Sequence, residues 1–408
     1  MSRQEIVDRL AQVVEEVKSG KGISPGHQAR WARISLDAVS SLGDAMLVEP
    51  ALEQLEGVWV HNPAGGGAVN LKVAGIYLVD RALDIGVETV VEDLFRFAET
   101  GEVDLTTVYL VEGITIPETV TLGGGYSFEL FHTLPKPHAA LPIFGKANVP
   151  AHGWGNPPSC ALVHRTRFKV PMQSPAEREA APMFHVDSSD VRTTMTTALN
   201  AAMLASTGAP QFRQQYHVIT SPGWPYMDCG GFAGSERFPV PVPFARPVQI
   251  ERLAEYFELM QSQDGRLEMA LSKLQSSRQR ISNAERVIDL GTCMEMLLTH
   301  GEGQSSEITF KISSRAAWLL GSDATSRVEI FSRARGLYGA RSQAVHSGII
   351  STPKGANSLE REAELNRLLA SYDQLCRDLI IAVCSTSFWT TKPDWIGLVL
   401  DAADVSAH

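Results

Sequence analysis

The chain has 408 residues, 44% apolar and 20% charged, with a formal net charge of −10. That length exceeds one ordinary domain and fits two or three, and the composition allows a sizeable core. The acidic balance excludes a general nucleic-acid coat, and no run of about 18 apolar residues is present to cross a bilayer.

The opening stretch MSRQEIVDRLAQVVEEVKSG carries acidic residues on an amphipathic period, not the apolar run of a signal peptide, so a cytoplasmic location is expected. Helical apolar spacing covers 4–18 and 88–99. Strands are expected at NLKVAGIYLVD (70–80), TTVYLVEGITI (106–116), GYSFELF (125–131) and ALVHRTRFKV (161–170). In the last of these, Leu162, His164, Thr166, Phe168 and Val170 share one face. A helix is expected over 191–206 despite its threonines. Residues 1–220 therefore read as a strand-rich α+β region, with room for two subdomains.

Residues 221–247, SPGWPYMDCGGFAGSERFPVPVPFARP, hold six prolines and four glycines. Proline lacks the amide donor and pushes its predecessor to extended geometry, so this stretch reads as a linker or covering loop. From 248 to 390 the pattern is helical. Leu267, Leu271 and Leu274 lie at i, i+4 and i+7. SNAE at Ser282–Glu285 has capping-box spacing, and the helix it opens runs to a C-cap at Gly301. A third helix covers 306–320 and stops at Gly321. Ser322 or Asp323 caps a fourth, with apolar residues Val328, Phe331, Leu337 and Tyr338, ending near His346 to Gly348. Asn357–Glu360 caps a long fifth, with Leu365, Leu368, Tyr372, Leu375, Leu379 and Ile380 on one face. Five helices with short connections make an antiparallel bundle of about 140 residues; residues 391–408 are a C-terminal tail.

The chemistry-bearing residues sort quickly. The five cysteines are scattered, odd in number and form no CxxC pair, which argues against a disulfide framework or a cysteine zinc site; Cys293, Cys376 and Cys384 sit in apolar helical contexts. His132, His138, His152 and His164 cluster in sequence, but no carboxylate or third ligand stands at a recognised spacing, so no metal or other cofactor is expected. The glycine clusters at 62–72 and 122–126 fit neither GxxxxGK[ST] nor GxGxxG and read as turns. Between Lys311 and Arg341 six basic residues face two acidic ones, a local balance of +4 able to dock a phosphate backbone or to form a solvated helix face.

Two segments carry a resemblance. ERVIDLGTCMEMLLTHGEGQSSEITFKISSRAAWLLG (285–321) joins an apolar helix bearing an Asp and a Glu to a Gly-rich break and a second helix. YGARSQAVHSG (338–348) follows it with Tyr, Arg-Ser and Val-His-x-Gly in that order. Over about a third of the chain this block resembles the Apea-like HEPN group of the HEPN superfamily. The resemblance implies a helical bundle that dimerises and a metal-independent endoribonuclease in which Arg341 and His346 are the active pair. Ser342, Glu295 and Asp289 match supporting positions. It also implies a role as a defence or toxin effector whose N-terminal region senses a trigger. The sequence identifies neither that trigger nor an antitoxin partner.

RNA cleavage without a metal asks for these residue types. Histidine, ordinarily titrating near 6.5, can move protons at neutral pH, and arginine offers a permanent planar cation to phosphate oxygens. Five positions apart on a helix, they stand about 140° apart around its axis. Convergence therefore needs either unwinding near Ser347-Gly348 or a second copy. Two other readings stand beside this one: a bundle that only dimerises or binds, and a metal hydrolase in the N-terminal half.

Overall fold

The structure is a computed structural model that describes residues 3–22, 33–62, 65–135, 160–180, 189–226, 229–234, 245–261, 267–299, 307–351, 357–385 and 395. Gly301, His138, His152, the middle of the proline-rich stretch and all of the tail except Trp395 lie outside them. The chain is α+β, with its sheets in the N-terminal half and helices in the C-terminal part. Among the described residues, no helix is long and apolar enough to cross a membrane.

In chain order the first elements are α1 (Arg3–Lys18), α2 (Leu36–Leu47), α3 (Pro50–Glu53), β1 (Trp59–Asn62), β2 (Gly65–Ala68), α4 (Leu71–Ile85) and α5 (Val87–Thr100). Then come β3 (Glu102–Glu112), β4 (Ile114–Thr115), β5 (Val120–Gly123), β6 (Tyr126–Leu130), β7 (Cys160–Lys169), β8 (Met172–Gln173), α6 (Pro175–Ala180) and α7 (Ser189–Leu204). β9 (Gln211–Ile219), β10 (Cys229–Gly234) and β11 (Arg246–Pro247) precede the helices α8 (Ile250–Gln261), α9 (Glu268–Gln279), α10 (Asn283–Leu298), α11 (Ile308–Leu320), α12 (Ala324–Ser347) and α13 (Ser358–Ser385).

Two compact units share these elements. The first takes Met1–Val111, Ile116–Thr193 and Phe212–Phe238; the second takes Glu112–Thr115, Thr194–Gln211 and Pro239–His408. In the first, a six-stranded sheet runs β10-β9-β3-β7-β6-β5, and β3 pairs antiparallel with β7 from Glu102↔Lys169 to Val111↔Cys160. Its larger core joins Ile6, Leu42, Leu78 and Phe97 from the helices to Val103 and Leu105 of β3.

Two expectations are corrected here. Residues 70–80 are not a strand but the start of α4, capped by Asn70, whose Oδ1 accepts from the amides of Lys72 and Val73. The helix is buried on several sides (Leu71, Ala74, Leu78, Val79), so its apolar run carries no clear period. The proline-rich stretch is also not all linker. β10 lies inside it, as an edge strand beside β9. Before it, Ser221–Tyr226 is pinned down: Trp224 is fully buried and meets Phe97 edge-on at 5.1 Å, and the Gly223 amide donates to Asp93 (2.8 Å). Proline is tolerated there because sheet edges and covering segments do not need its missing donor.

His217 on β9 is buried in its neutral form. The Gln215 amide nitrogen lies 3.0 Å from Nε2 and donates to it, which leaves Nδ1–H to donate to Thr107 Oγ1, also at 3.0 Å. Burial lowers its pKa from 6.5 to about 4. The unfolded chain therefore binds this proton first, and stability present above pH 6.5 is lost as pH falls toward 4. Between pH 7 and pH 5 this one group is expected to remove about 2 kcal/mol. Urea unfolding of wild type and His217→Gln at both pH values checks it; the variant should lose that part of the pH dependence.

In the second unit the helices bury Leu271, Leu274, Leu290, Met294, Ile312, Leu337, Leu369 and Leu379. Arg278 of α9 ties in the last turn of α7 and the segment after it, donating to the carbonyls of Met203 and Gly208 (both 2.7 Å). α12 begins with a true capping box, in which Asp323 accepts from the amides of Thr325 and Ser326 and Ser326 Oγ accepts from the Asp323 amide. At α13 the Asn357 Oδ1 accepts from the Glu360 amide, and the return bond runs between side chains, from the Asn357 amide nitrogen to Glu360 Oε1. The box expected at Ser282–Glu285 does not form. Ser282 is the N-cap in extended geometry, but its side chain makes no capping bond, and nothing in the structure explains why.

Candidate active site on helix α12

α12 runs unbroken through Arg341 and His346 and stops at Gly348, whose φ of +71° closes the helix in the left-handed conformation that glycine adopts freely. No unwinding brings the two residues together. Around this helix Arg341 and His346 point to different sides.

Arg341 lies against α10. Its Nη2 is 2.8 Å from Glu295 Oε2, and both side chains are about a quarter exposed. Its guanidinium carbon sits 5.4 Å from the Tyr338 ring centre. Its Nε is buried without a hydrogen-bond partner among the described residues. The stem crosses α10 at Gly291. A Cβ there would fall 2.7–2.9 Å from Cβ, Cγ and Cδ of Arg341. A mid-helix glycine is a sequence signal for such close approach.

That crossing makes a prediction. Alanine normally stabilises a helix interior by about 1 kcal/mol over glycine. Gly291→Ala is expected instead to destabilise by about 1–2 kcal/mol, since the overlap displaces the Arg341 stem. In Gly291→Ala/Arg341→Ala the helix preference should reappear. A thermodynamic cycle from denaturant unfolding reads the coupling.

His346 is exposed on the last turn, next to exposed Val345 and near exposed Ile349. Ser342 is half-buried. Of the two acidic residues singled out on α10, Glu295 meets Arg341 and Asp289 does not. Asp289 is buried between Lys273 Nζ (3.1 Å) and Arg280 Nε (2.9 Å), where it serves the α9–α10 packing.

The basic stretch 311–341 is no continuous free surface. Arg315 is buried, donates to the Leu298 carbonyl (2.6 Å) and lies over Trp395. Arg327 lies over Trp318 at 3.8 Å and donates to the Gly321 carbonyl. Among the described residues no three His, Cys, Asp or Glu side chains stand close enough to hold a metal ion. His164 stacks on Tyr126 (4.1 Å, 14°), and His132 is exposed in a short turn. The chain matches no protein-family model, no curated protein and no solved structure.

Proposed function

We propose that the chain is a metal-independent endoribonuclease of HEPN type, acting in the cytoplasm as a homodimer whose active site uses Arg341 and His346. The observation that carries this reading is the exposed His346 beside exposed Val345 (55%) and Ile349 (63%), at the end of a helix that turns Arg341 elsewhere. One copy presents half a site and an apolar margin; a two-fold partner supplies the other half. In the composite site the RNA 2′-hydroxyl attacks the adjacent phosphorus. His346 carries one of the two protons in transit, either from that hydroxyl or to the departing 5′-oxygen, and solvent water exchanges the other, while Arg341 meets the charge on the phosphorane oxygens. The products are a 2′,3′-cyclic phosphate and a 5′-hydroxyl.

The experiment is incubation of the full chain and His346→Ala with total cellular RNA in EDTA, beside a size-exclusion trace. Cutting by wild type alone, at equal dimer content, supports the reading. A strict need for a divalent metal overturns the mechanism, and an equally active variant overturns the site. A second reading, a bundle that dimerises or binds without catalysis, is favoured by the Arg341–Glu295 ion pair, which would suit an arginine placed for packing. It expects no cutting and an unchanged dimer in both proteins.

A further inference from the structure

A cavity of about 250 Å³ opens between α12 and α13. On the α12 side it is lined by Gly336, Gly339 and Gln343, and on the α13 side by Leu365, Leu369 and Tyr372. Among the described residues no charged side chain lines it. Both glycines are interior to a helix, where glycine is less favourable than alanine. At Gly336 the room serves the protein itself, since a Cβ would lie 3.0 Å from the Tyr372 hydroxyl. At Gly339 a Cβ would meet nothing within 4 Å. Gly339 is exposed, so it stands at the open mouth of the cavity.

One polar group is aimed into it. Tyr372 is only 5% exposed, and its hydroxyl has no hydrogen-bond partner among the described residues. Burial raises its pKa, so at neutral pH the phenol keeps its proton and is a donor. The hydroxyl is not sealed off from solvent: it borders the cavity, where it can donate to an occupant in place of water. Gln343 stands at the rim. Its Oε1 accepts from the Ser351 amide (3.0 Å) and hydroxyl (2.9 Å), which leaves its amide N–H groups for another acceptor. Among the described residues the lining thus pairs an apolar wall with donors and carries no charge.

The placement matters as well. His346 follows Gln343 by three residues and Gly339 by seven, so it shares their flank of α12, whereas Arg341 is turned about 140° from His346. His346 does not itself line the cavity, but it follows on the same flank about one turn beyond Gln343.

We propose that this cavity binds one uncharged nucleobase through its ring acceptors. Recognition of a splayed-out base by an apolar slot with a few donors is how proteins read single-stranded RNA. As a base of the substrate strand, which rests on the ribonuclease reading above, it would place its own ribose and phosphate toward His346 and set the base preference of cleavage. The same chemistry would accept a free nucleoside.

The test reads binding, not cleavage, so it survives failure of the nuclease reading. The full chain is titrated calorimetrically with the four ribonucleosides and with 2′-O-methyl trinucleotides of each base, which lack the attacking hydroxyl. Wild type is expected to bind one base in preference to the others. Tyr372→Phe should weaken that binding about tenfold. Gly339→Leu, which fills the cavity and strengthens the helix, should abolish it with the circular dichroism unchanged. Tighter binding of the trinucleotide assigns the site to an RNA strand; tighter binding of the nucleoside assigns it to a free effector. No binding by wild type, or binding that survives Gly339→Leu, overturns the proposal, whether or not the protein cuts RNA.

Discussion

Arg278→Ala is expected to destabilise the helical unit by about 3 kcal/mol, the largest stability loss of any single substitution considered. The side chain is 4% exposed and every part of its fork is engaged. Nε and Nη2 meet the two oxygens of Asp373 on α13 at 2.8 Å each, and Nη1 takes the carbonyls of Met203 and Gly208. Alanine leaves a buried carboxylate and two carbonyls without their donor, a loss worth about 3–5 kcal/mol for a broken buried pair. The lower end is expected because half-buried Arg286 also attracts Asp373 and partly compensates it. Lysine should rescue little, since a point charge cannot fork to four acceptors. Arg278→Met/Asp373→Leu should recover much of the loss, as apolar replacement of a buried pair is often near neutral. Denaturant unfolding of the four proteins decides it. A loss under about 1 kcal/mol for Arg278→Ala would show that water satisfies those groups and that the fork is not what holds α9, α13 and the segment after α7 together.

The contrast between Arg278 and α12 shows what the sequence could convey. The limits of α12 were legible because they are local: Asp323 caps its own neighbours, and Gly348 closes the helix by its own φ. The strands at 106–116, 125–131 and 161–170 were legible from their β-branched and aromatic content more than from alternation, since Leu105–Glu112 of β3 are all buried and β7 runs from a buried half to an exposed one. α4 was not, because a helix buried on several sides shows apolar residues at every phase. β10 was hidden by glycine and proline, whose usual meaning yields where an edge strand lends its partner. Thr194–Gln211 is tied to the helical unit by donors far along the chain, Arg278 to the Met203 and Gly208 carbonyls, Gln275 to that of Pro210 and Arg377 to that of Ser206, and no spacing rule reaches that far. At the candidate site the motif announced Arg341 and His346. The cavity facing Tyr372 could not be seen, because an empty space is made by two helices jointly.

Arg341→Ala and His346→Ala should each lose RNA cleavage about 10²–10⁴-fold, the usual range for removing a positioned proton-transfer or charge-stabilising group. Equal losses alone would not show how the site is assembled. Mixing the two variants does. Along an unbroken α12 the side chains stand about 140° apart, and Arg341 is drawn to Glu295 on α10 while His346 is exposed. A site completed across a two-fold axis would pair the arginine of one copy with the histidine of the other. A heterodimer of the two variants then keeps one intact site, and random exchange of subunits restores about a quarter of wild-type activity. A site within one chain restores none, because every chain in the mixture lacks one member of the pair. Recovery on mixing, absent in either variant alone and lost when both substitutions share a chain, would establish at once that the pair is catalytic and that dimerisation assembles it. Activity in each variant alone would remove α12 from the chemistry and leave the bundle with packing and partner binding as its work.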